Sequence, residues 1–368
     1  MTNAPSVSRT AVTNTAAPPV SDRDLVAYAR GRIEKGSKSF AAASKIFAPP
    51  MRASVHLLYA WCRHCDDEID DQDLGFARGE ASKDDNPNAA AETLARLRAE
   101  TLSALDGTPG PNPVYQGLAL VAERHALPRE DPLDHLHGFA MDAAEKQYVG
   151  IEDTLTYCYH VAGVVGVMMA RIMGVGAGSN TRTGVNPDTH RDTLDRASDL
   201  GIAFQLTNIA RDVMDDAAIG RVYLPSDWLH EAGVDPSDIS SPAHRPQLVA
   251  VSHRLLDLAD AYYASASVGI ARLAPRPAAA IAAARNIYAD IGRVHRAQGE
   301  AAWETRARTS GAGKLTRVSQ GLALGARMAL LGAAPASVNA QAASREGLWT
   351  RPRREGEEGA AHEAGDRS

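Results

Sequence analysis

The sequence predicts an all-α fold, and two observations support this prediction. Apolar residues recur at spacings of three and four, which is the period of an amphipathic helix, whereas the alternation of apolar and polar residues that indicates strands is almost absent. One apolar stripe consists of Leu58, Trp61, Cys65 and Ile69, and a second consists of Ile202, Leu206, Ile209 and Val213. The segments 92–105, 250–272 and 278–299 are also helical in composition.

Clusters of turn-forming residues separate the predicted helices. They occupy the stretches 78–92, 106–113, 174–187, 223–228 and 240–246. None of these stretches has the character of a domain linker, so residues 22–345 are predicted to form a single domain. Residues 1–21 are expected to be a disordered N-terminal tail. Residues 346–368 are predicted to be a polar C-terminal tail, of which residues 351–368 lack periodicity and are expected to be disordered.

Composition and charge exclude several classes of protein. The chain has 368 residues, of which 44% are hydrophobic and 23% charged, as is typical of a globular protein. The net charge of -6 lacks the basic excess of a nucleic-acid-binding protein, so no nucleic-acid partner is expected. No stretch has the pattern of a secretory signal, and the longest apolar run, 161–170, is too short to span a bilayer.

The three cysteines are too few for a disulfide framework and suit a reducing cytosol, so a cytoplasmic location is predicted. Cys62 and Cys65 form a C-x-x-C pair, but no second pair of cysteines or histidines completes a zinc site. We interpret both as small packing residues of a helix.

Two runs of carboxylates carry the strongest chemical signal. The stretch "CRHCDDEIDD" at 62–71 has five acids among its last six residues, and "FQLTNIARDVMDD" at 204–216 ends in a second acidic cluster. Asp66 and Asp70 are four residues apart, and so are Asp212 and Asp216, so each pair lies on one face of a helix.

Polar stripes extend these pairs backwards along both predicted helices. The first contains Tyr59, Arg63, Asp66 and Asp70; the second contains Gln205, Asn208, Asp212 and Asp216. Each polar stripe borders the apolar stripe of its own helix. We therefore predict that both borders face one cavity.

The acidic runs are poor candidates for solvated surface. Like charges four apart destabilise a helix by about 0.2–0.5 kcal/mol per pair, and anions late in a helix oppose its macrodipole. A bound cation would relieve both effects. Oxygen ligands favour Mg²⁺, with Mn²⁺ as the alternative, and Mg²⁺ usually bridges to phosphate oxygens. The predicted metal ligands are Asp66, Asp70, Asn208, Asp212 and Asp216. A di-iron site is excluded because the chain contains no E-x-x-H.

Several long motifs resemble those of the bacterial phytoene synthases, members of the squalene/phytoene synthase family. They are "GSKSFAAASKIF" (36–47), "LYAWCRHCDDEIDDQ" (58–72), "YCYHVAGVVGVMMARIMGV" (157–175), "DLGIAFQLTNIARDVMDDAAIGRVYLP" (199–225), "AWETRARTSGAGKL" (302–315) and "LWTRP" (348–352). The resemblance implies an all-α isoprenoid-synthase fold around a central cavity.

The reaction implied by the resemblance is a Mg²⁺-dependent head-to-head condensation of two geranylgeranyl diphosphates. It proceeds through prephytoene diphosphate, a cyclopropyl intermediate, to phytoene with release of two diphosphates, and it is the first step of carotenoid biosynthesis. The enzyme would be a prenyltransferase of the 15-cis-phytoene synthase type, without a nicotinamide cofactor. Peripheral association with the inner membrane face is expected because the product is insoluble in water, and contact with other carotenoid-pathway enzymes is an accompanying expectation.

The resemblance also implies roles for individual residues. The catalytic set is Asp66, Asp70, Asp212, Asp216, Tyr59 and Tyr288. The substrate-binding set is Lys38, Ser39, Phe40, Arg63, Gln205, Asn208 and Arg306. Arg308 lies two places from Arg306, and either could face the site.

Other interpretations stay open at the level of sequence. A dehydrosqualene or squalene-type synthase would use farnesyl diphosphate, although Ser44, a small residue four places after Phe40, favours the longer substrate. A non-catalytic helical scaffold that binds cations is a hypothesis from another class. Gly163 and Gly166 provide either room for a prenyl chain or close packing of helices.

Overall fold

The computed structural model describes residues 21–36, 38–69, 72–73, 76–77, 89–144, 146–175, 187–304, 344–354 and 357. Within these ranges the chain forms twelve α-helices: α1 (Asp22–Gly36), α2 (Lys38–Ser44), α3 (Pro49–Ile69), α4 (Ala89–Leu105), α5 (Pro113–His125), α6 (Glu130–Ala143), α7 (Ile151–Cys158), α8 (Val164–Ile172), α9 (Pro187–Ala218), α10 (Ser226–Glu231), α11 (Arg245–Ile270) and α12 (Pro275–Gln298).

Shorter elements complete the described fold. A π-helical turn, Tyr159–Gly163, joins α7 to α8, and 3₁₀ turns occupy Pro236–Asp238, Pro242–His244 and Gly299–Trp303. The strands within the described ranges are one antiparallel pair of two residues each, β1 (Gln72–Asp73) and β2 (Phe76–Ala77). The predicted all-α class is therefore confirmed.

The first helix begins where its sequence provides a cap. The Asp24 N–H donates to Ser21 Oγ at 3.3 Å, and the Ser21 hydroxyl donates in return to the Asp24 carboxylate at 2.7 Å. The first of these bonds provides a side-chain acceptor for a backbone N–H of the first helical turn, and the second holds the two side chains together. The predicted domain start at residue 22 coincides with the first residue of α1. Residues 1–20 lie outside the described residues.

Both predicted apolar stripes are part of the core. Trp61 and Cys65 on α3 are fully buried, and so are Ile202 and Leu206 on α9. The helix α9 is the central element: it packs along α11 on one side and against α8 and the π-helical turn on the other. Cys62 and Cys65 are free thiols on α3, in agreement with the packing role.

Glycines bring α9 close to the π-helical turn and α8. A Cβ on Gly166 would lie 2.2 Å from the carbonyl oxygen of Ala197, and a Cβ on Gly163 would lie 2.9 Å from Ser198 Oγ. From the α9 side, a Cβ on Gly201 would lie 2.2 Å from the carbonyl oxygen of Ala162. Both Gly163 and Gly166 are therefore required for close helix packing, and Gly166 also lines the cavity described below.

Part of the predicted C-terminal tail is described in the structure, and the expected disorder is wrong for residues 351–354. The segment 344–354, which we call the C-terminal strap, packs on the helices: the Trp349 N–H donates to the Tyr262 hydroxyl at 3.0 Å, and Arg351 is only 2% exposed. Arg354 donates to Asp131 at 2.9 Å. Leu348 and Trp349 of the strap pack against the core, and arginine–carboxylate pairs hold the rest of it. Hydrophobic periodicity gave no signal for these ion pairs.

The apolar run predicted at 161–170 belongs to a longer helical segment, Ile151–Ile172. By length and composition this segment of 22 residues could cross a membrane, but 67% of its apolar window is buried inside the protein. It therefore serves as a core helix of the domain.

Candidate active site

A cavity of about 740 Å³ lies among α3, α6, α8, α9, α11 and α12. Its lining follows α9 from Thr193 to Arg211, which corresponds to about 27 Å of helix. The end near Arg211 is polar, and most of the remaining wall is apolar. The predicted central cavity is present, and the polar stripes of both α3 and α9 contribute to it.

The side chains of α3 at the polar end are Tyr59, Arg63 and Asp66. Arg63 is 2.7 Å from Asp66 and 2.9 Å from Asp67, and Arg32 donates to the other Asp67 oxygen at 2.8 Å. Asp67 is 1% exposed, whereas the Asp66 side chain is 41% exposed and lines the cavity. Arg32 and Arg63 thus neutralise part of the negative charge of the acidic run. Asp67 is buried between these two arginines and pairs with both.

On α9, as on α3, some polar side chains line the cavity and others lie outside its lining. Gln205 and Asn208 line the cavity, and the Asn208 amide donates to Gln205 at 3.3 Å. Asp212 lies one turn further, outside the cavity lining, where the Arg211 Nε donates to it at 2.7 Å. Burial, followed by the negative charge of Asp212, raises the pKa of Asp216 to about 7.

Aromatic residues occupy the border between the polar and apolar ends. Tyr288 stacks on Phe204 with ring centroids 4.1 Å apart, and Phe40 lies 5.7 Å from Tyr59. All four rings line the cavity. Burial raises the pKa of Tyr59 to about 12, so its phenol is neutral at physiological pH. Aromatic faces at this position can stabilise a cation without providing a nucleophile.

Sequence reasoning missed a second polar group at the same end of the cavity. Asp142 on α6 lines the cavity and accepts hydrogen bonds from the Tyr157 hydroxyl at 3.1 Å and the Tyr223 hydroxyl at 2.9 Å. Arg221 lines the cavity as well. A signal was present in the sequence: His135, Phe139 and Asp142 follow each other at steps of four and three, as the members of one helical face do.

Four of the predicted site residues have side chains outside the described part of the structure. Asp70 and Arg306 lie outside the described residues, so the choice between Arg306 and Arg308 stays open. Lys38 and Ser39 are backbone positions of α2 whose side chains are not described.

The oxygen donors of α3 and α9 suit a hard divalent cation. Burial, and after it the negative charge of Asp212, raise the pKa of Asp216, and a bound cation would favour its charged form. Among the described side chains, no three acidic, histidine or cysteine residues lie close enough together to hold a metal ion. The described residues therefore fit a metal in chemical type, but they do not by themselves form its complete ligand group.

Two relatives of known activity match nearly the whole chain. A phytoene synthase from Pseudescherichia vulneris is 46% identical over 340 residues, covering 90% of this chain and 100% of that protein. A 15-cis-phytoene synthase from a Paracoccus species is 48% identical over 331 residues, covering 89% of this chain and 98% of its own length.

Solved structures share the fold. A dehydrosqualene synthase in complex with a ligand superposes with a TM-score of 0.69 at 27% identity, over 82% of this chain and 96% of that one. A squalene synthase from Alicyclobacillus acidocaldarius gives a TM-score of 0.61 at 22% identity, over 77% of this chain and 97% of that one. This second similarity supports a shared fold and nothing about activity. The predicted isoprenoid-synthase fold is confirmed. The squalene/phytoene synthase family model matches residues 33–312, and the chain belongs to that family.

Proposed function

We propose that this protein is a prenyltransferase that condenses two geranylgeranyl diphosphates, through prephytoene diphosphate, to phytoene with release of two diphosphates. The observation that carries the proposal is the cavity, in which a charged end with Asp66 and Arg63 continues into an apolar channel along α9. Such a cavity suits a substrate with an anionic head and a long hydrocarbon tail. The two relatives named as phytoene synthases support the same activity.

The charged end would bind and ionise the diphosphate. A divalent cation, Mg²⁺ or alternatively Mn²⁺, would be held by Asp66, Asp70, Asn208, Asp212 and Asp216, and when bound it neutralises charge on the departing diphosphate. Arg63 lines the cavity beside Asp66, which supports its proposed role as a diphosphate contact. Lys38, Ser39 and Arg306 are proposed as further diphosphate contacts, and Gln205 supports Asn208 through their hydrogen bond.

The apolar channel would hold the prenyl chains and protect the carbocations. Ionisation leaves an allylic cation, which the double bond of the second substrate attacks before a proton is lost. Phe40, Tyr59, Phe204 and Tyr288 surround this region with aromatic rings. The phenols of Tyr59 and Tyr288 are proposed to stabilise the cation or to assist proton removal.

The length of the substrate separates this proposal from a farnesyl-diphosphate enzyme. The cavity follows about 27 Å of α9, which provides depth for a twenty-carbon chain. Ser44 is buried outside the cavity lining, with its hydroxyl 2.9 Å from His56 Nε2. The length of the cavity is therefore the feature that favours geranylgeranyl diphosphate.

The direct test is product analysis with purified protein. We would supply geranylgeranyl or farnesyl diphosphate with Mg²⁺ and detergent, without nicotinamide, and identify the hydrocarbon by mass-resolved chromatography. Asp66→Ala and Asp212→Ala should each lower phytoene formation by on the order of 10²-fold or more, because each removes a charge at the ionising end. Asp215→Ala is the matched control, since Asp215 is an exposed acid on the same helix.

Three outcomes would contradict the proposal at different levels. If farnesyl diphosphate alone reacts, the protein is a dehydrosqualene or squalene-type enzyme. If phytoene forms in EDTA, the role of the metal is wrong. If folded protein binds Mg²⁺ but consumes neither substrate, the scaffold hypothesis replaces the enzyme.

We also propose that the protein works in the cytoplasm, in peripheral contact with the inner membrane face and with enzymes that use its product. The hydrocarbon product supports this, because it is insoluble in water and must leave the channel for a lipid phase. Co-sedimentation with lipid vesicles tests the membrane contact, and failure to sediment in the presence of substrate would contradict it.

A further inference from the structure

Leu273 lines the substrate cavity and lies in the turn that joins α11 to α12. Its position along the channel follows from its neighbour Arg272, which pairs with Asp192 and donates to Thr193 Oγ1 at 3.2 Å. Among the described residues, the α9 part of the cavity lining stops at Thr193, about 22 Å along the helix axis from Asn208. Leu273 therefore lies at the end of the cavity farthest from the charged end.

Leu273 packs against two small hydrophobic clusters that are distinct from the two larger cores of the domain. One cluster joins α8 and the residues just after it to α9, and consists of Val167, Ala170, Val175 and Leu194. The other joins the end of α11 to α12, and consists of Ile270, Ala278 and Ala282. Leu273 thus bridges these two pairs of helices at the end of the cavity.

The turn that carries Leu273 is fastened to α9 by a polar network. Asp192 on α9 accepts hydrogen bonds from Arg272 of the turn and from Arg196 Nε at 2.8 Å. Arg196 donates in addition to the carbonyl oxygen of Ser265 on α11 at 3.2 Å. Arg196 also lines the cavity, and Asp192 neutralises its charge. The network holds the turn, and with it Leu273, against the end of the channel.

The other residues that line this part of the cavity are mostly small. They include Ala170 on α8, Ala197 on α9 and Gly269 on α11. Of the larger ones, Ile270 precedes Leu273 by about one helical turn, and Met173 has an unbranched side chain that can rearrange. Leu273 is therefore the last branched apolar side chain along the α11 wall of the channel.

We propose that Leu273 is a specificity-determining residue that forms the end wall of the apolar channel and sets the longest prenyl chain that the enzyme accepts. This inference rests on the proposed function, in which the charged end holds the diphosphate. With the head group held there, the distance to the end wall sets the number of carbon atoms that fit. A twenty-five-carbon chain would have to displace Leu273, which the two clusters hold in place.

The size of the side chains at the end wall should therefore decide between substrates. A hydrophobic pocket discriminates between ligands that differ by one methylene by about 10–200-fold. Leu273→Ala replaces an isobutyl group by a methyl group, so it should make room for part of a further isoprene unit. Ala170→Leu adds volume to a lining residue of the cluster that Leu273 packs against, so it should shorten the channel.

The test is a competition among three substrates. Purified protein receives equimolar farnesyl, geranylgeranyl and geranylfarnesyl diphosphates with Mg²⁺ and detergent, and mass-resolved chromatography counts the prenyl chains of each length in the hydrocarbon products. Ratios within one reaction are independent of the folded fraction. Leu194→Ala is the matched control, because Leu194 is a buried leucine of the same cluster outside the cavity lining.

For Leu273→Ala we expect the use of twenty-five-carbon relative to twenty-carbon chains to rise by on the order of 10-fold or more. Ala170→Leu should raise the use of fifteen-carbon relative to twenty-carbon chains by a similar factor, and Leu194→Ala should keep the wild-type ratios.

The inference is overturned if Leu273→Ala keeps the wild-type ratios, if Leu194→Ala shifts them equally, or if wild-type protein already uses the twenty-five-carbon substrate as readily as the twenty-carbon one. If Leu273→Ala does not fold, unchanged ratios in Ala170→Leu overturn it. If wild-type protein consumes no geranylgeranyl diphosphate, the proposed function fails instead.

Discussion

Asp66 and Asp67 are neighbours in the chain, yet their side chains have opposite surroundings. Asp67 is buried between Arg32 and Arg63, whereas Asp66 is partly exposed at the cavity. Asp212 and Asp216 on α9 also differ, since Asp212 is paired with Arg211 and Asp216 has a strongly raised pKa. One acidic run can therefore contain a carboxylate that is buried between arginines and another that is partly exposed at the cavity.

Asp216 should make the metal-free protein less stable as the pH rises. Its folded pKa of about 7 exceeds that of an unfolded aspartate, so the stabilising protonated form is lost as the pH rises through about 7. We expect Asp216→Asn to increase the free energy of unfolding in EDTA at pH 8 by on the order of 1–4 kcal/mol. Urea unfolding at pH 8 and pH 4 measures the difference, which should nearly vanish at pH 4. A difference that is equal at both pH values would refute the assignment.

At the scale of elements, glycines and arginines define two contacts that hydrophobic periodicity does not reveal. Gly166 and Gly201 allow α8 and the π-helical turn to approach α9 to backbone contact. Arg345, Arg351 and Arg354 fasten the C-terminal strap to acids on α6 and α9. Both contacts hold helices that form the wall of the cavity.

Gly166→Ala should destabilise the protein through the α8–α9 contact. The new methyl group would lie 2.2 Å from the Ala197 carbonyl oxygen, so backbone must move, at a cost of about 1–3 kcal/mol. Gly31→Ala in α1 is the matched control, because its Cβ meets nothing within 4 Å. Gly31→Ala should stabilise the protein by about 1 kcal/mol through helix propensity. Denaturant unfolding compares the two, and equal effects would contradict the packing argument.

Arg351→Ala should destabilise the protein more than Arg353→Ala does. Arg351 is fully buried and pairs with Asp195 at 2.9 Å and Glu357 at 2.8 Å, so its removal leaves buried carboxylates without one of their partners, which costs about 3–5 kcal/mol. Arg353 pairs with the same Asp195, but its side chain is 34% exposed, so its removal should cost about 1 kcal/mol or less. Chemical denaturation measures both, and equal losses would show that burial of the pair is not what matters.

At the scale of the whole molecule, the sequence predicted the all-α fold, the central cavity and the two polar stripes that meet in it, because these depend on local periodicity. It did not predict the strap, since Arg351 and Arg354 find their acids through contacts that span the chain. Nor did it single out Asp142, because one polar residue on an apolar helical face becomes informative only when its neighbours in space are known. Asp70 and Arg306 stay predictions, as they lie outside the described residues.

The strap also has a consequence for the order in which the protein is completed. Asp195 and Asp199 are synthesised more than a hundred residues before the strap arginines that pair with them, whereas Asp131 has a nearer partner in Arg171 as well as Arg354. Until the strap has been translated, Asp195 and Asp199 lack these arginine partners. The ion pairs that fasten α9 to the strap therefore form only after the strap has left the ribosome.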